Sequence, residues 1–61
     1  SRAERQELQE RLSALGLYHG ASDGKFDEKT KAAVAEYQRR SGLTPDAFAT
    51  VAVLQRLRAE R

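Results

Sequence analysis

Cysteine is missing from this 61-residue chain, as are methionine, tryptophan and isoleucine. Without cysteine, neither a disulfide nor a thiolate metal site can staple a fold this small. One histidine, His19, cannot complete the usual nitrogen and sulfur ligand set of zinc, so no metal site is expected. No apolar run approaches the roughly 18 residues needed to span a bilayer, so no membrane insertion is expected either. The four serines, Ser1, Ser13, Ser22 and Ser41, lie outside any Gly-x-Ser-x-Gly elbow. No glycine-rich phosphate loop is present, and no cofactor is implied. The chain opens Ser1-Arg2 without methionine or a secretory leader, which reads as a module excised from a longer protein. The expectation is a single module over residues 1–61, with its core over about 6–57.

The apolar inventory is thin: seven Leu, three Val, two Phe, two Tyr and ten Ala. A chain of this length buries only about 60% of the surface it exposes when unfolded. A catalytic cleft needs walls and a core behind them, so composition favours a binding module over an enzyme. The net charge of +2 sets eight Arg and three Lys against nine acids. Arg39 and Arg40, and again Arg56, Arg58 and Arg61, cluster where helices are expected to end, opposing the negative pole of the helix dipole. A sequence pI near 9.4 raises the alternative of a small nucleic-acid binder. Its recognition helix would have only Gln55, Arg56 and Arg58 to offer, and a titration with duplex DNA at low salt separates the two readings.

Three segments carry helical periodicity. From about Ala3 to Leu15, the residues Leu8, Leu12 and Leu15 recur at i, i+4 and i+7, with Glu4, Glu7, Glu10 and Arg11 off the seam. Gly16 follows as a helix-ending glycine. Between Leu17 and Phe26, two glycines and an Asp-Gly pair mark a long structured loop. An Asp-Gly pair can also close a hairpin, but the flanks do not alternate well enough to predict a ribbon. A second helix is expected from Glu28 to Ser41, with Asp27 as N-cap and Thr30, Ala33, Val34 and Tyr37 on one face. Gly42 ends it. Thr50, Val53, Leu54 and Leu57 share the face of a third helix. Phe48 falls about 160° from Thr50 on a helical wheel, so it belongs to the preceding loop and Thr50 is the expected N-cap. A start at Thr44-Pro45 is the alternative, since proline suits a first helical turn. The fold class is therefore all-α: a compact three-helix bundle with a long loop between helices one and two.

A weak internal repeat accompanies these segments. Gly16-Leu17 is followed by Asp23, Thr30 and Val34, and Gly42-Leu43 by Asp46, Val53 and Leu57. In both halves the aspartate precedes the next two positions by seven and eleven residues. The chain reads as two unequal copies of a unit made of an exit, an aspartate turn and a helix.

The pattern Leu8-Gln9-x-x-Leu12-x-x-Leu15-Gly16, Asp23-Gly24-x-Phe26, Thr30-x-x-Ala33-Val34-x-x-Tyr37-Gln38 and Gly42-Leu43 resembles the peptidoglycan-binding domain family of three-helix modules. The resemblance spans about Gln6 to Leu57. It implies a non-catalytic module that anchors a larger envelope protein, such as a lytic transglycosylase or other cell-wall hydrolase, to its substrate. It also implies work in the periplasm or cell envelope. The partners implied are glycan strands or stem peptides, together with the module's own host catalytic domain, and the module itself is expected to be monomeric. The family favours Asp-Gly-x-x-Gly-Pro-x-Thr in its second half, where this chain reads Asp46-Ala47-Phe48-Ala49-Thr50-Val51-Ala52-Val53. That second-loop style is similar to modules ending lytic transglycosylases. With both glycines gone, the second loop is expected to use torsions that alanine and threonine tolerate. An alternative function follows, a protein-interaction domain that keeps the fold without glycan binding.

Tyr18 and His19, in the long loop, are the candidate ligand groups, because rings there can stack on a sugar face while polar tips reach its hydroxyls. The competing reading packs Tyr18 beneath the loop and turns His19 to water. Lys25, Arg39 and Arg40 are candidates for stem-peptide carboxylates, against the alternative of a solvated face. Gly16, Asp23, Gly24, Gln38, Gly42 and Asp46 are assigned to turns, with Gln38 tying a loop's backbone to helix two. The expected core is Leu8, Leu12, Leu15, Phe26, Val34, Tyr37, Leu43, Val53, Leu54 and Leu57.

Overall fold

The computed structural model describes residues 1–60 and contains three helices: α1 (Arg2–Ala14), α2 (Glu28–Arg40) and α3 (Val51–Ala59). Arg61, expected to oppose the dipole of the last helix, lies outside the described residues. Each helix begins on a side-chain cap. The Ser1 hydroxyl accepts from the Glu4 N–H and Glu4 reaches back to Ser1, forming a capping box. Asp27 Oδ1 accepts from both the backbone N–H and the hydroxyl of Thr30, each at 2.9 Å. Thr50 Oγ1 accepts from the Val53 N–H at 3.3 Å. These caps satisfy donors that a helix start leaves unpaired. Of the two proposed starts for the third helix, the structure takes Thr50.

The first two helices stop in the same way. Leu17 N–H donates to Leu12 C=O and Gly16 N–H to Ser13 C=O, both at 2.9 Å. At the end of α2, Leu43 N–H donates to Gln38 C=O at 2.8 Å and Gly42 N–H to Arg39 C=O at 3.2 Å. Both are Schellman motifs, with Gly16 and Gly42 at positive φ. No strand forms among the described residues, so the Asp-Gly pair does not close a ribbon.

Helix α1 packs against both other helices. The core comprises Leu8 and Leu12 of α1, Tyr18 of the long loop, Ala33, Val34 and Tyr37 of α2, and Val53, Leu54 and Leu57 of α3. Leu17 and Phe26 are half-buried against it. Two residues assigned to the core are at the surface instead: Leu15 is 40% exposed and Leu43 37%. Both lie at or beyond a Schellman reversal, where the chain has already turned away from the helix partners. The Cα radius of gyration, 10.0 Å, matches the roughly 10 Å expected of a single folded body this long.

One ion pair joins the ends of the sequence. The Arg58 guanidinium donates to both Glu7 carboxylate oxygens at 2.7 Å, and Arg11 adds a third bond at 2.8 Å. Arg58 first, then Arg11, hold the Glu7 carboxyl at about 2, below its ordinary 4.5. A carboxyl that binds its proton more weakly when folded contributes stability that is whole above its unfolded pKa and is lost as the pH falls through its folded one. The thermal midpoint should therefore fall as pH drops from about 5 to about 2, and Glu7→Gln should flatten that fall. Parallel acid slopes for the two proteins would remove Glu7 as the cause.

Candidate recognition groove between two aspartate turns

Two loops are fastened by the same device, the first to α1 and the second to α2. In the first, Asp23 Oδ1 accepts the Lys25 N–H at 2.9 Å, an Asx-turn that leaves Gly24 at φ 81°. Buried Gln9 then serves as a surrogate peptide group. Its Oε1 accepts the Gly24 N–H at 2.8 Å, and its Nε2 donates to Lys25 C=O at 2.8 Å and Thr30 Oγ1 at 3.0 Å. In the second, Asp46 Oδ1 accepts the Phe48 N–H at 2.9 Å. Gln38 Oε1 accepts the Ala47 N–H at 2.9 Å, and its Nε2 donates to Asp46 Oδ1 at 2.9 Å and Phe48 C=O at 3.5 Å. The Phe48 N–H, and after it the Gln38 amide, hold the Asp46 carboxyl below its usual range. Gln38 thus ties the second loop to helix two, while its counterpart Gln9, more deeply buried, carried no assigned role in the sequence.

Ala47 overturns one expectation. The second loop keeps the left-handed torsion that glycine provides in the first: Ala47 sits at φ 64°, in register with Gly24 at φ 81°. The Gln38 clamp and the Asp46 turn together fix a geometry that a Cβ disfavours by about 1–2 kcal/mol. At Gly24 a side chain would also collide, since a Cβ there would lie 2.7 Å from Arg2 Cγ and 3.2 Å from the Arg2 carbonyl oxygen.

Between the two turns runs an open groove of about 370 Å³. Leu8 and Leu54 line its apolar base, Phe26 comes from the first turn, Phe48 from the second, and Val51 from the start of α3. Phe48 is 68% exposed and Val51 63%. Arg5 and Phe26 also line a second, adjoining concavity with Arg2, Gly24 and Lys25. An apolar trough thus adjoins a cationic shelf.

The sequence-assigned ligand residues fall in three places. Lys25 is on the shelf. Arg39 and Arg40 lie at the opposite end of α2, about 18 Å along a 13-residue helix, and both pair with Glu36, at 3.0 and 3.2 Å. Arg39 first, then Arg40, lower the Glu36 carboxyl's pKa. Tyr18 is 2% exposed, so its ring offers no face to a sugar. Its hydroxyl donates to Ala21 C=O at 2.8 Å, and the ring fits only because Gly20 has no Cβ, which would stand 2.5 Å from Tyr18 Oη. The packing alternative is the one realised. His19 is exposed in the same loop. The shelf cations Arg2 and Arg5 and the groove aromatic Phe48 were not assigned to a site. Phe48 had a legible signal, an aromatic ring off the helical stripe.

In α3, Arg58 is engaged by Glu7, and Arg56 donates to Ser41 C=O at 3.4 Å, so the arginines a base-reading helix would need are tied within the chain. Among the described residues no acidic or histidine cluster is arranged to hold a metal. No described helix is long and apolar enough to cross a membrane.

A three-helix body with an open, partly apolar groove is the architecture of a recognition module. The chain belongs to the family described as "Putative peptidoglycan binding domain", whose model matches residues 1–57. That family is one of binding domains rather than catalysts, and peptidoglycan is its ligand at the family level. A stretch of 40 residues, 66% of the chain, is 50% identical to part of the "Putative OxPP cycle protein OpcA" of Synechococcus elongatus. The match covers 9% of that protein's length. No solved structure matches the chain.

The two clamps hold backbone of different burial, Gly24 being buried and Ala47 only half-buried, and so differ in expected cost. Gln9→Ala should destabilise the fold by about 2–3 kcal/mol, because it strands the buried Gly24 N–H and removes the bond to buried Thr30 Oγ1, whereas Gln38→Ala should cost about 1 kcal/mol. Ala47→Gly should stabilise it by about 0.5–1 kcal/mol by relieving the left-handed strain. Urea denaturation of the three variants measures all of this. A destabilised Ala47→Gly would mean that the torsion is unstrained.

Proposed function

We propose that this chain is a non-catalytic module that holds a larger protein against bacterial cell wall, with the groove between the two aspartate turns as the contact surface. The observation that carries the proposal is the pairing of a peptidoglycan-binding family match with exposed Phe48 and Val51 beside a groove floored by Leu8 and Leu54. Large apolar groups left in water at a concave surface are costly unless a ligand covers them. Aromatic rings suit the apolar faces of sugars and small alkyl groups. The host is a cell-envelope protein, and a cell-wall hydrolase such as a lytic transglycosylase fits the second-loop style. Its compartment is extracytoplasmic, and the module acts as a monomer.

A second reading, an interaction domain without wall binding, is supported by the likeness to a segment of a protein named for the OxPP cycle rather than for the wall. In that reading the same groove receives a protein surface, and the groove residues become protected from hydrogen exchange inside the full-length host.

Co-sedimentation with purified, insoluble peptidoglycan separates the two. The folded module should pellet with the polymer at low salt. Phe48→Ala, which removes an exposed ring without opening the core, should weaken binding about fivefold, the worth of roughly 1 kcal/mol of aromatic contact. Complete retention in the supernatant would overturn wall binding in favour of the interaction reading.

A further inference from the structure

Three cations surround the first turn, and the structure gives them an unusual arrangement. Arg5 Nε donates to Gly24 C=O at 2.7 Å and Arg2 Nε to Asp23 C=O at 3.2 Å. Each guanidinium is thereby anchored by its inner nitrogen, while its two terminal nitrogens make no hydrogen bond to any described residue. Lys25 adds an ammonium with no described carboxylate partner. By contrast, Arg11, Lys31, Arg39, Arg40 and Arg58 each pair with a glutamate, while Lys29 and Arg56, which also have no described carboxylate partner, do not line the shelf. Of the nearby acids, Glu4 bonds Ser1 through Oε1 and lines the adjoining groove rather than the shelf, and Asp23 Oδ1 holds the Lys25 N–H, so neither pairs with a shelf cation. Arg5 and Phe26 belong to both the shelf and the apolar groove, so the two surfaces are continuous.

We infer that the shelf of Arg2, Arg5 and Lys25 is a carboxylate site, and that the part of the wall polymer this module reads is the stem peptide rather than the glycan strand. The inference rests on the wall-binding reading above and deepens it. Sugar rings of the polymer carry hydroxyl and acetamide groups, which are neutral and need acceptors as well as donors. The shelf supplies donors and positive charge. The free carboxylates of the polymer lie on its short peptides, beside alanyl methyl groups of the size an apolar trough accommodates. The end-on edge of a guanidinium presents two parallel N–H groups to a carboxylate, a geometry that ammonium lacks. Anchoring each Nε on a turn carbonyl holds that edge in place before the ligand arrives, which lowers the ordering cost of binding. The surface is open to water, so binding should be modest and sensitive to salt.

Three forms of the polymer test this: insoluble intact sacculi, insoluble sacculi whose peptide carboxylates have been converted to amides, and the soluble glycan strands that an amidase releases from their peptides, the last read as a competitor for binding to intact sacculi. Intact sacculi should bind best, the amidated form about tenfold more weakly, and the released strands should compete more weakly still. Lys25→Glu, whose side chain makes no described hydrogen bond, should lower binding to intact sacculi about threefold to tenfold and leave the amidated form unaffected. Arg2→Gln should act in the same direction, and a thermal melt of each variant shows that the fold is retained. Full displacement from intact sacculi by the released strands would overturn the carboxylate site while leaving wall binding standing. Failure to bind intact sacculi would overturn both.

Discussion

Two side-chain amides hold this molecule's irregular half in place. A chain this short cannot afford a long loop whose backbone groups go unanswered, since each buried, unpaired amide costs about 1–3 kcal/mol. Gln9 answers the Gly24 N–H and the Lys25 carbonyl from within α1, and Gln38 does the same for Ala47 and Phe48 from within α2. Every buried side-chain nitrogen and oxygen among the described residues finds a partner. The loops are therefore fastened to the helices by hydrogen bonds rather than by apolar mass, of which the sequence has little. The groove exists because these fastenings bring two separate turns to either side of the start of α1.

The same device explains Ala47. Local preference favours glycine at a left-handed position, yet the torsion persists without it because the Asp46 carboxylate and the Gln38 amide fix the groups on either side. Strain of this kind is sustained when surrounding contacts over-determine the backbone. It also shows how this geometry can form without a glycine at the turn position. The glycine is a convenience for a geometry that the glutamine and aspartate specify.

Helix positions and caps were legible because they rest on local rules. The Leu8 and Leu12 spacing, Asp27 and Thr50 before apolar faces, and Gly16 and Gly42 after them placed all three helices within one or two residues. Leu15 and Leu43 were misplaced because periodicity reports a direction around a helix axis and says nothing of where the neighbouring helices end. Tyr18 sits in a loop with no period at all, and its burial depends on the missing Cβ of Gly20, three-dimensional information that no spacing carries. The groove was the least legible part. Arg2 and Arg5 look like ordinary helix-surface charges until the first turn folds over them, and Gln9 looks like an ordinary surface amide until Gly24 comes to rest on it.

The two turns share one pattern, but they differ at a matching position. Two residues after each aspartate stands Lys25 in one copy and Phe48 in the other, a cation on the shelf and a ring at the groove. A pair of identical turns would give a trough with equivalent ends. This pair gives one lip that prefers charge and one that prefers hydrocarbon, so an extended occupant lying along it would meet different chemistry if reversed. The difference within the repeat thereby gives the surface a sense of direction.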